Sequence, residues 1–65
     1  MAFERLRPAV LFDLWMLAET EATLALAAWR SASVGDRPAA YAAYRAALDR
    51  EARAAQTLEL RLARA

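Results

Sequence analysis

Ser33-Val34-Gly35-Asp36-Arg37-Pro38 contains the only glycine of the chain and one of its two prolines. It separates two long stretches that otherwise read as helix. Glycine tolerates the left-handed conformation that closes many helices, so Gly35 is expected to terminate the first stretch. Asp36 can accept backbone N–H bonds as a cap for the second, and Pro38 fits a first helical turn, where a missing N–H costs nothing. The expected fold is therefore all-α, a two-helix antiparallel hairpin.

Working outward, Arg7 is disfavoured from helical angles by Pro8, which places the first helix start near residue 8. The expected organisation is a single domain over 1–65, with helix 1 at about 8–32, a turn at 33–36 and helix 2 at about 37–63. At about 100° per residue, Leu11, Leu14, Trp15, Ala18, Ala22, Ala25, Trp29 and Ala32 share one side of the first helix. On the second, the corresponding stripe is Tyr41, Tyr44, Leu48, Ala52, Ala55, Leu58 and Leu62. If opposed positions sum to about 70, as a short αα-turn implies, Trp29 faces Tyr41, Ala18 faces Ala52 and Trp15 faces Ala55. Large residues then mostly meet small ones, as interdigitating layers require.

A chain of 65 residues buries a smaller share of its surface than a full-sized domain. It has neither Cys nor His, which removes disulfides, thiolate metal sites and the commonest general base. Oligomerisation is the remaining supplement. The first helix carries extra apolar residues beside its stripe, Val10, Leu17, Leu24 and Ala28, so its apolar arc is wider than one partner helix covers. The expectation is a homodimer in which two hairpins form a four-helix bundle, with Val10, Leu14, Leu17, Leu24, Ala28 and Leu58 at the contact.

Nine arginines, with no lysine, oppose eight acids, and the net charge of +1 gives no global attraction to nucleic acid. The absence of Lys, Ile and Asn beside abundant Ala suggests a GC-rich bacterial coding bias. Asp13, Glu19 and Glu21 interrupt any signal-like or membrane-spanning run, so a cytoplasmic protein without a membrane partner is expected.

Glu21 and Glu51 lie on otherwise apolar flanks and fall in the same layer of the assumed register. In a two-fold dimer four carboxylates would converge, a set suited to a hard cation such as Mg²⁺, Mn²⁺ or Ca²⁺. The competing readings are an edge salt bridge to Arg45 or Arg53, as at coiled-coil e and g positions, and a partly buried carboxylate held by Tyr or Trp donors. Arg50, Arg53, Arg61 and Arg64 share an outward face that could contact phosphates, although no aromatic side chains are interleaved for stacking on bases. The solvated-face reading is favoured for them. The alanines between Trp15 and Trp29 could line a ligand pocket, but core packing is the simpler role for these aromatics. Phe12 and Met16, with Phe3 and Leu6 before the helix, form a further apolar patch.

No nucleophile with an orienting base is present, and Asp49 and Glu51 project about 160° apart on a helix. The expected function is that of a small non-enzymatic regulatory, adaptor or assembly protein acting through helix–helix contacts, with itself as partner and no cofactor; a larger protein partner is compatible. A nucleic-acid regulator using the arginine face, and a metal- or ligand-binding bundle using Glu21 and Glu51, are the alternatives.

Overall fold

The computed structural model describes residues 7–64, and it contains two helices among them: α1 at Pro8–Ser31 and α2 at Arg37–Arg64. They pack against each other as a hairpin measuring 47 × 17 × 16 Å. Phe3 and Leu6 lie outside the described residues.

Helix α1 starts where proline chemistry allows. Arg7 is extended at φ −70° and ψ 149°, as a residue before proline prefers, and no side chain caps the end. Its carbonyl accepts the N–H groups of Val10 at 2.9 Å and Leu11 at 3.1 Å. The interior is dominated by Ala, Leu, Met and Glu, all strong helix formers. The hydroxyls of Thr20, Thr23, Ser31 and Thr57 donate to carbonyls four residues back, so these polar groups are satisfied within their own helices.

The turn differs from its expected mechanism. Ala32 leaves α1 in an extended conformation, φ −68° and ψ 144°, with its N–H reaching the Trp29 carbonyl at 3.3 Å. The chain then coils directly into α2 from Ser33. The Ser33 carbonyl accepts the N–H groups of Asp36 at 3.0 Å and Arg37 at 2.9 Å, and the Ser33 hydroxyl donates to Asp36 Oδ2 at 3.0 Å. Asp36 directly precedes α2, as the sequence suggested, and its carbonyl accepts the Ala40 N–H at 3.0 Å, while its carboxylate takes the Ser33 hydroxyl. Gly35 has no positive φ, and a Cβ built on it meets nothing within 4 Å. The reversal is accomplished at Ala32 and Ser33, which leaves no left-handed step for glycine to make.

Four described residues are buried: Leu11, Ala18, Ala22 and Ala47. Around them Trp15, Ala25, Leu26 and Trp29 of α1 face Tyr44, Leu48, Glu51, Ala54, Ala55 and Leu58 of α2, all half-buried. The α1 stripe matches its sequence pattern apart from Leu14, which is exposed. The α2 stripe is rotated by roughly 50° from the expected one at 100° per residue. Ala47 and Glu51 turn inward, while Tyr41, Ala52 and Leu62 turn out.

The turn end is fixed by aromatic packing. The Trp29 ring lies 5.0 Å from Tyr41, tilted by 58°, and 5.7 Å from Tyr44, near-parallel at 16°. The Arg37 guanidinium sits 5.8 Å from the Trp29 ring centre. Such contacts each add about 0.5–1.5 kcal/mol beyond area burial. They place Trp29 between two tyrosines one turn apart, which sets how far α2 slides along α1.

Two outcomes follow. Gly35→Ala is expected to leave stability unchanged or raise it by up to about 1 kcal/mol, because it restricts the unfolded chain at a site with negative φ and open space. Urea unfolding checks this, and a loss above about 1 kcal/mol would contradict the turn as described. Ala47→Leu inserts three carbons at the least exposed of the described residues and should lower stability by about 1–3 kcal/mol in the same assay.

Candidate interaction surface

The buried set is unusual for its size rather than its polarity. Three of the four buried residues are alanines, and no large side chain is fully buried. Alanine lets helices approach closely but removes little apolar area from water, and stabilisation scales with that area at about 25 cal/mol/Å². The larger apolar side chains of α1 lie elsewhere. Val10 (41% exposed), Leu14 (40%), Leu17 (56%) and Leu24 (65%) all face solvent.

With Glu21 and Ala28, these four residues follow spacings of four, three, four, three and four along α1. That is an unbroken seven-residue repeat, the pattern of a coiled-coil seam, lying about 100° around the helix from the contact with α2. Leu58, which the sequence pattern grouped with this surface, is half-buried and belongs to the α2 side of the intramolecular contact. Phe12 and Met16 are exposed on the opposite flank of α1, where the Phe12 ring packs 5.7 Å from Trp15.

Glu21 stands in the middle of the repeat. One carboxylate oxygen lies 3.6 Å from Arg50 Nε across the helix pair, with both side chains about half-exposed. The sequence pointed to Arg45 or Arg53 as partners for such an acid. The turn geometry brings Arg50 level with it instead. Glu51, by contrast, lies on the α2 face turned toward α1 and is half-buried. The two glutamates thus occupy different faces of their helices, and among the described residues no group of three or more His, Cys, Asp or Glu side chains is assembled.

Below Arg50, toward the helix end far from the turn, an open groove of about 640 Å³ runs between the helices. It is lined by Leu11 and Leu14 of α1 and by Arg50, Arg53, Ala54, Gln56, Thr57 and Leu60 of α2. Of the four arginines expected on one outward face, Arg50, Arg53 and Arg64 are exposed, whereas Arg61 is half-buried beside the contact. The α2 rotation accounts for that: the four still share one side of α2, and its inner edge is turned toward the contact. The groove is not evident in the sequence. Its lining combines Leu14 with Ala54 and Leu60, residues that the periodicity of either helix does not group together.

No described helix is long and apolar enough to cross a membrane. Comparison with protein-family models, curated proteins and solved structures finds no match to this chain.

Because Arg50 lies beside Glu21 and, among the described residues, no group of three acids is assembled there, millimolar Mg²⁺ or Mn²⁺ should leave the melting temperature unchanged in the parent and in Glu21→Gln alike. A rise confined to the parent would assign the glutamate a metal role.

Proposed function

We propose that this chain is a small non-enzymatic interaction protein, acting as a regulatory, adaptor or assembly subunit, whose working form is a homodimer of hairpins packed as a four-helix bundle. The observation that carries the reading is the mismatch between a core made mostly of alanine and a row of aliphatic side chains left in water on α1. Burying such a row is worth about 1.5–3 kcal/mol for each large side chain fully covered. A second copy supplies the missing cover without any other component.

Surface area supports the same conclusion. The chain exposes 5042 Å², against roughly 4,100 Å² for a compact monomer of its 7.2 kDa mass. A rod exposes more than a sphere, and two rods laid side by side recover that excess.

Sedimentation equilibrium at micromolar concentration tests the reading. The parent should run at twice the chain mass and Leu17→Glu/Leu24→Glu at the monomer mass, while Met16→Glu, on the opposite flank, should remain dimeric. A monomeric parent would overturn the reading.

A further inference from the structure

We infer that the second copy docks antiparallel on α1, about a two-fold axis near position 19, with Leu24 of each subunit seated over the other subunit's groove and Glu21 fixing the register. This deepens the self-association reading and rests on it.

The geometry comes from the repeat itself. In an antiparallel coiled coil, a positions meet d positions of the partner. Taking Val10, Leu17 and Leu24 as d and Leu14, Glu21 and Ala28 as a, one alignment pairs all six: Val10 with Ala28, Leu14 with Leu24 and Leu17 with Glu21, each pair occurring twice. Sliding by one heptad toward the turn leaves Val10 without a partner and sets Ser31 against Leu14. Sliding the other way strands Leu24 and Ala28. The complete alignment is therefore the one with the largest apolar overlap.

The groove lies where this alignment needs it. Leu14 lines it, and Leu14 is level with Leu24 of the partner subunit. Leu24 is the most exposed large apolar residue of either helix at 65%, an anchor without a pocket in its own chain. An open apolar hollow and an uncovered leucine thus become complementary when two copies meet, as a two-fold contact requires of one surface patch.

Charge selects the direction. A parallel, in-register dimer would place Glu21 directly against Glu21 at an a position, with like charges in contact. In the antiparallel alignment the two glutamates are separated by four residues, about 6 Å along the axis, and each keeps its own Arg50. Polar residues at single a positions are known devices for specifying orientation at some cost in stability.

The absence of cysteine makes the test clean. Val10→Cys and Ala28→Cys proteins, one isotopically labelled, are mixed, annealed and oxidised, and the disulfides are read by mass. The heterodisulfide joining the two variants should exceed both homodisulfides at least about tenfold, because Cα atoms more than about 7 Å apart cannot be bridged. In a Glu21→Leu background that preference should shrink and the melting temperature should rise. A predominance of the Val10→Cys homodisulfide would overturn the inference, as would a sedimenting dimer that gives no disulfide through α1, although either leaves self-association standing. A selectivity unaffected by Glu21→Leu would remove the role assigned to Glu21. A monomer would sink both readings.

Discussion

The burial of Ala18, Ala22 and Ala47 between α1 and α2 is the constraint on which the other features depend. Small side chains at the contact bring the backbones together and give dense packing, but they leave little apolar area to bury. The aliphatic residues that would normally fill a helix–helix core are displaced to the flanks. Leu17 and Leu24 lie on one side of α1 and Met16 on the other. A hairpin of this kind has a defined shape with few fully buried apolar residues, and the proposed second copy would couple association to folding.

At the turn end, a different interaction supplies definition. Trp29 packs against Tyr41 and Tyr44, with Arg37 beside the ring, within about two helical turns of the loop. Ser33 and Asp36 organise the first backbone bonds of α2 next to them. The helices are thus registered near the turn and packed through alanine in the middle. Toward the far end the groove opens beside Leu11 and Leu14. The alignment that places Glu21 beside Arg50 is a consequence of that registration.

The hairpin is legible in the sequence because its signals are strong and local. Helical periodicity dominates both halves, and one cluster of turn residues divides them. The α1 contact face is legible too, since Trp15 and Trp29 mark it unambiguously. The phase of α2 is not. Ala42, Ala43, Ala46, Ala47, Ala52, Ala54 and Ala55 surround that helix with residues equally suited to contact or exposure, so periodicity alone does not choose among them. Stacking of Tyr44 on Trp29 is the visible restraint on that choice. Gly35 is illegible for a related reason, because a glycine's conformation depends on the path of Ala32 and Ser33, which composition does not reveal. The discrepancy at Arg50 is smaller, a short step along α2 from either expected arginine, yet enough to replace the partner of Glu21.

The central claim is that the hairpin gains its stability from a second copy. Thermal unfolding followed by circular dichroism over a hundredfold range of protein concentration addresses it most directly. Coupled association and folding predicts a melting temperature that rises steadily with concentration, because mass action favours the dimer. A melting temperature independent of concentration, in a protein that sediments as a monomer throughout that range, would contradict the account.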